Sequence, residues 1–250
     1  MMPTLPKALV GLAAASAMLS GCAYNEAPGR NQFLLVDNSS LTQQADQAWA
    51  DALRTQQVSR DAAANARIRR VGGRIVQAAG LTNLSWDYAV FVDESPNAFV
   101  LPSGKVGVTT GLLALVQNDD QLAAVLGHEV GHVIAQHAAE RYSSTAVTSI
   151  GLQAIQGASG EYGQAVGALG GLGAQLGVLL PFSRQHELEA DQLGIDYMVG
   201  AGYRASEAIA LWRLMAAQRQ TQTPEFASTH PSDASRIQAL ERYIQSKGYR

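Results

Sequence analysis

Cysteine is nearly absent from this 250-residue chain: Cys22 stands alone, so neither an internal disulfide framework nor a Cys-rich zinc ribbon can be built. Positive charge is scarce as well. The 18 Lys and Arg against 21 Asp and Glu leave a net charge of −3, which gives no basic field for a phosphate backbone and argues against nucleic acid as a partner. Charged residues make up only 16% and aromatics 6%, while 47% are apolar. That apolar share is thin in large side chains, because 41 residues are alanine, and another 24 positions are glycine. Length and composition fit one ordinary domain with an appendage.

The appendage lies at the amino terminus. Met1 to Lys7 carry one positive charge, and Ala8 to Ser20 follow as an uncharged run rich in Ala and Leu. This run falls short of the roughly 18 to 20 residues of a spanning helix and ends in small residues, the layout of an export signal. Leu19-Ser20-Gly21-Cys22 resembles the bacterial lipobox, which implies cleavage before Cys22, a diacylglycerol on its thiol and an acylated amino group. Residues 1–21 are expected as a lipoprotein signal peptide. Residues 22–40, with Pro28, Gly29 and polar residues lacking periodicity, are expected as the lipidated cysteine and a tether. Ala23 rather than aspartate after the cysteine implies, within that resemblance, the outer membrane and a periplasm-facing domain.

Residues 41–250 read as the working domain. Leu41, Ala45, Ala48, Trp49, Ala52 and Leu53 recur at helical spacing, and Ile68, Val71, Ile75 and Val76 form a second stripe, so one long helix or two fill residues 41–79. Trp86 to Val92, Ala98 to Leu101 and Lys105 to Val108 are β-prone, with the turn sequence Pro102-Ser103-Gly104 between the last two. These make one small antiparallel sheet in the sequence reading. Helical pattern returns at Thr110 and covers Asn118 to His137, Arg184 to Gly200, Ser206 to Gln218 and Ser232 to Ser246. The fold class is therefore α+β and mostly helical.

Chemistry is concentrated in His128-Glu129-Val130-Gly131-His132, an HExxH element within helical pattern. Four residues make about 400° of turn, so both imidazoles share one face. Neutral imidazole suits zinc, and a catalytic zinc needs three protein ligands with a fourth position for water. Glu129 is turned aside from the pair and would reach that water as general base. A third ligand must come from elsewhere. His137, about 500° past His132, falls off the ligand face and reads as a helix-end histidine.

The candidate lies in Arg184-Gln185-His186-Glu187-Leu188-Glu189-Ala190-Asp191. With the HExxH element, this Glu-x-x-Ala-Asp pattern resembles the HtpX-like and CAAX-prenyl-protease-like zinc metallopeptidases, a glutamate-zincin family. The resemblance implies a zincin fold, with His128, His132 and Glu187 holding one zinc ion per subunit, Glu129 catalytic, and Asp191 accepting a hydrogen bond from a ligand imidazole. Glu189, about 200° from Glu187, reads as a solvated charge, and His186 is turned away by its 100° step. Asn97-Ala98-Phe99, followed by Leu101-Pro102-Ser103-Gly104, resembles the family's strand whose exposed edge pairs with substrate backbone. Thr229-His230-Pro231 with Arg236 resembles its carboxy-terminal His-Pro element, which gives His230 either a catalytic hydrogen bond to the oxyanion or the open zinc position in a resting state.

The implied activity is zinc endopeptidase cleavage of protein or peptide substrates, by analogy damaged or misassembled envelope proteins. The alternative is a chaperone-like lipoprotein that serves outer-membrane assembly machinery and keeps the zinc fold for binding. Residues 143–182, Gly-rich with Glu161 as their one charge, lie between the ligand motifs. A single span there would put the motifs on opposite sides of a bilayer, so a lid, a membrane contact or core packing is expected instead.

Overall fold

The computed structural model describes residues 22–156, 182–218, 230 and 234–249. The signal peptide assigned to residues 1–21 and the stretch 157–181 of the Gly-rich insert lie outside the described residues. Among those described, the elements run β1 (Cys22–Asn25), β2 (Arg30–Phe33), α1 (Asn38–Thr55), α2 (Ala62–Ala78), β3 (Asp87–Phe91), β4 (Ala98–Leu101) and β5 (Lys105–Thr109), followed by six further helices. These are α3 (Thr110–Leu115), α4 (Asp119–Ile134), α5 (His137–Gln156), α6 (Arg184–Gly200), α7 (Ser206–Gln218) and α8 (Ala234–Lys247). The mostly helical α+β class is borne out, and the first helical region is two helices rather than one.

Helix starts follow the capping chemistry of the sequence. Asp37, Asp61, Thr109, Asn118 and Ser183 each accept from a backbone N–H of the first turn of α1, α2, α3, α4 and α6. The helix of the HExxH element, α4, is buried at every position from Gln121 to Val133. A helix apolar almost all round belongs at the centre of a domain, and α4 packs there against α2, α6, α7 and the three-stranded sheet.

That sheet has the order β3-β5-β4, with β5 antiparallel to β4 but parallel to β3. The expectation of an all-antiparallel sheet is therefore corrected. After the β4–β5 hairpin turns at Pro102–Gly104, β5 inserts between β4 and the earlier β3, and runs in the same direction as β3. Both faces are covered, as parallel pairing favours. Val90, Val106 and Val108 join the main core with Ile68, Leu122, Leu126 and Met198, while Ala89, Phe91 and Leu101 on the other face pack with Ala45 and Trp49 of α1.

Residues 22–33, expected as tether, form an antiparallel hairpin instead, pairing Cys22 with Phe33 and Asn25 with Arg30. Its contacts with the domain are polar. Gln32 is buried and donates to the Ala135 carbonyl at 2.7 Å, and Asn38 just beyond donates to that of Val133 at 2.7 Å. These donors reach carbonyls at the end of α4, where acceptors outnumber intrahelical donors.

Antiparallel packing of α4 on α6 fixes the site. Gly127 faces Gly194, and one turn on Gly131 faces Ala190. A Cβ added at either α4 glycine would lie 2.8 Å from a backbone oxygen of α6. Backbone meets backbone, and this close approach brings the acids of α6 within reach of the α4 histidines.

Candidate metal centre

Four buried side chains converge where α4, α6 and the segment before α8 meet: His128, His132, Glu187 and His230, with one donor atom from each lying within 4.8 Å of all the others. His128 Nε2 stands 3.1 Å from His132 Nε2 and 3.2 Å from His230 Nδ1. The Glu187 carboxylate is 3.0 Å from His230 Nδ1 and 3.5 Å from both α4 imidazoles. Around a tetrahedral ion with bonds of about 2.0–2.1 Å, neighbouring donors stand about 3.3–3.4 Å apart. The set matches that spacing. Ring nitrogens this close repel through their lone pairs unless they share a proton or a cation, and three imidazoles with one carboxylate make a typical donor set for a transition metal.

Each α4 imidazole is held from behind. His128 Nδ1 contacts Asp191 Oδ1 at 2.9 Å, and Arg236 of α8 grips Asp191 with two hydrogen bonds of 2.6 and 2.8 Å. The same guanidinium reaches Glu187 at 2.5 Å and lies 4.1 Å over the Trp212 ring. For His132, Nδ1 contacts His137 Nδ1 at 2.9 Å, and His137 Nε2 contacts Glu189 at 2.9 Å.

Electrostatics follow from burial and these partners. Burial pushes Glu187 up, but Arg236 and the surrounding histidines outweigh it and hold the carboxyl well below the usual range. Asp191 is likewise depressed: Arg236 and His128 overcome its burial. Glu129 moves the other way, because burial raises its carboxyl more than His230 and His128 lower it. Burial also drives His137 down to about 4, so its imidazole is neutral at pH 7.

A cleft of about 500 Å³ opens beside the four converging side chains, lined by Asn97 to Pro102, Glu129, His132, Arg141, Phe182 and His230, with Ala48, Ala52 and Phe91 among its other walls. Glu129 accepts from the Val100 N–H of β4 and stands 3.3 Å from His230 Nε2. Strand β4 is a sheet edge. The Asn97 backbone pairs inward with Thr109, so the edge turned to the cleft belongs to Ala98 and Val100, while Asn97 and Phe99 line the cleft wall.

Sequence similarity agrees with the geometry. The sequence profile of peptidase family M48 matches residues 62–244, most of the chain. The chain belongs to peptidase family M48. It is 40% identical over 179 residues to mitochondrial metalloendopeptidase OMA1 of Schizosaccharomyces pombe, covering 71% of this chain and 52% of that protein. With the Saccharomyces cerevisiae OMA1 it shares 34% over 172 residues, covering 66% and 48%. Metalloprotease YcaL of Escherichia coli is 26% identical over 250 residues, covering 96% of this chain and 98% of that one. The chain thus spans about half the length of the OMA1 relatives. Membership in M48 bears out the HtpX-like resemblance read from HExxH and Glu187–Asp191.

Of the M48 site residues expected from sequence, His128, His132, Glu187 and His230 come together, Glu129 stands beside His230, and Asp191 backs His128. Two readings are corrected. His137 stays outside the converging set, as expected, but not because of its angle on α4: Gln136 adopts φ +54°, α4 stops at Ile134, and His137 opens α5 behind His132. Glu189 is not a solvated charge but pairs with His137 and Arg30. His186 stays outside the ligand set, as expected, yet stacks on His137 at 4.4 Å and contacts Glu140 at 3.1 Å. Phe182 was missed as well. Its ring stacks on His132 at 3.9 Å with the Arg141 guanidinium 3.7 Å over its centroid, and its position at the end of a Gly-rich apolar run gave no sign of this.

Proposed function

We propose that this M48 chain is a zinc-dependent endopeptidase, anchored by lipid on Cys22 to the outer membrane, facing the periplasm and cleaving damaged or misassembled envelope proteins. The observation that carries the reading is the convergence of His128, His132, Glu187 and His230 beside a cleft that also exposes Glu129 and an open strand edge. Relatives named as metalloendopeptidases support the activity. The lipobox-like Leu19 to Cys22 and the exposure of Cys22 at the start of β1 support the anchor.

Zinc, when bound, supplies Lewis acidity that polarises a scissile carbonyl and acidifies water. The protein groups do the rest. An extended substrate adds to β4 through Ala98 and the Val100 carbonyl, the Val100 N–H being held by Glu129, and is read through its main chain more than its side chains. Glu129 takes the proton of the attacking water and delivers it to the leaving amine, and its burial-raised carboxyl suits both halves of that task. His230 lies with His128, His132 and Glu187; it would complete a four-residue donor set for zinc or, turned toward the cleft, donate to the oxyanion.

The test is metal analysis together with Glu129→Gln in the full-length lipoprotein. The variant is expected to retain one zinc, to lose cleavage of a casein or denatured envelope-protein substrate by about 10²-fold or more, and to trap substrates in the native envelope. Protein that purifies without zinc, or a Glu129→Gln variant with full cleavage, would refute the reading.

A further inference from the structure

Both α4 ligand imidazoles point Nε2 at the common centre, which leaves each Nδ1 to carry the proton. For His128 that proton goes to Asp191 at 2.9 Å, and Asp191 is pinned by Arg236. For His132 it points at His137 Nδ1, also at 2.9 Å. The His137 Nδ1 must then be the accepting nitrogen, so its Nε2–H donates to Glu189 at 2.9 Å. One tautomer assignment satisfies the whole series, and His137 is completely buried within it.

The series ends on a cation of the amino-terminal hairpin. Arg30 donates to both oxygens of Glu189, at 2.6 and 3.0 Å, and to both of Glu140, at 2.8 and 2.7 Å. Two bidentate pairs on one guanidinium fix the carboxylates in position and angle. Gln32, next but one on the same strand, donates to Glu140 and to the end of α4. We propose that His137 and Glu189 are positioning residues for the metal ligand His132, and that Arg30 holds them, so that the amino-terminal hairpin is a working part of the metal centre.

The inference rests on the reading of His132 as a zinc ligand. Groups that orient a ligand imidazole are worth about 10-fold to 100-fold in metal affinity. The test measures zinc affinity of the full-length chain by competition with a chromogenic chelator, and records the cobalt(II) absorption spectrum of the same proteins. His137→Phe keeps a ring but offers His132 no acceptor, and it should weaken zinc by about 10-fold to 100-fold and shift the cobalt bands. His137→Gln can accept from His132 and donate to Glu189, and should return affinity to within a few-fold of wild type. A role in packing alone would not distinguish the two variants in that order. Arg30→Ala, at a partly exposed position, should weaken zinc in the same direction and serves if His137→Phe does not fold. Tight zinc in wild type with equal affinity in folded His137→Phe, or in Arg30→Ala, overturns the inference alone. A wild-type chain that binds no zinc overturns the peptidase reading, and the inference with it.

Discussion

Gly131 is the point at which a single methyl group separates helix propensity from site geometry. In Gly131→Ala the new Cβ would stand 2.8 Å from the Ala190 oxygen, 3.1 Å from its Cα and 3.4 Å from its carbonyl carbon. All three are backbone atoms and none can turn aside. Restoring ordinary contact to the oxygen needs a retreat of about 0.6 Å, roughly three times the ~0.2 Å tolerance of metal–ligand distances. Glu187 lies one turn from Ala190 on α6 and moves with it, whereas His132 stays with α4. Alanine gains about 0.8–1 kcal/mol of helix propensity, against about 1–3 kcal/mol for overpacking, so the net stability loss is small, about 0–2 kcal/mol. Zinc affinity is expected to suffer more, by about 10-fold to 100-fold. Urea unfolding and chelator competition measure the two quantities on one preparation. Gly73→Ala is the control, because its Cβ would meet nothing within 4 Å; it should stabilise by about 0.5–1 kcal/mol and leave zinc untouched. A Gly131→Ala protein with wild-type zinc affinity and a gain in stability like that of Gly73→Ala would refute the close-packing argument.

Arg236→Ala leaves Glu187 and Asp191 without their buried guanidinium partner, and urea unfolding of the metal-free protein should show a loss of about 3–5 kcal/mol; the zinc-loaded protein should lose less, since the metal replaces part of the missing charge. Chelation should lower the thermal midpoint of the wild type, because free zinc held 1,000-fold above its dissociation constant contributes about 4 kcal/mol; an unchanged midpoint in calorimetry would argue against a metal centre. The Asp37 carboxyl at the start of α1 is held at about 2 by Ser39 and Ser40, below its ordinary 3.8. A depressed carboxyl stabilises the fold fully above its unfolded pKa and loses that contribution as pH falls through the folded one. The stability gap between wild type and Asp37→Ala should therefore be constant above about pH 4 and shrink toward pH 2, and a pH-independent gap in urea titrations would contradict the cap assignment.

The sequence made the converging side chains legible because HExxH and Glu187-x-x-Ala-Asp191 are local patterns on regular helices, where angular arithmetic holds. The same arithmetic failed for His137. It assumed an unbroken helix through Ala135 and Gln136, and glutamine gives no warning of a positive φ. Glu189 was misread for a related reason: its wheel position is indeed far from Glu187, but His137 and Arg30 come to meet it there. The β1–β2 hairpin escaped because strand detection looks for apolar alternation, whereas this hairpin docks through Asn25, Arg30 and Gln32. In the sheet, three β-prone runs were visible, but the insertion of β5 beside β3 is a long-range choice that no local turn sequence encodes.

Charge balance gives an independent reason why these residues belong together. Within and around the four converging side chains are five carboxylates, Glu129, Glu140, Glu187, Glu189 and Asp191, and three guanidinium groups, Arg30, Arg141 and Arg236. With neutral imidazoles and Glu129 ionised, two negative charges remain, the charge of one divalent cation. An interior of low dielectric penalises net charge steeply. Two of the three arginines lie far apart in the sequence, Arg30 in the amino-terminal hairpin and Arg236 in the last described helix. Loss of Arg236 leaves Asp191 without its cation beside His128, and loss of Arg30 does the same to Glu189 beside His137, so the candidate metal centre depends on both α8 and the amino-terminal hairpin being docked.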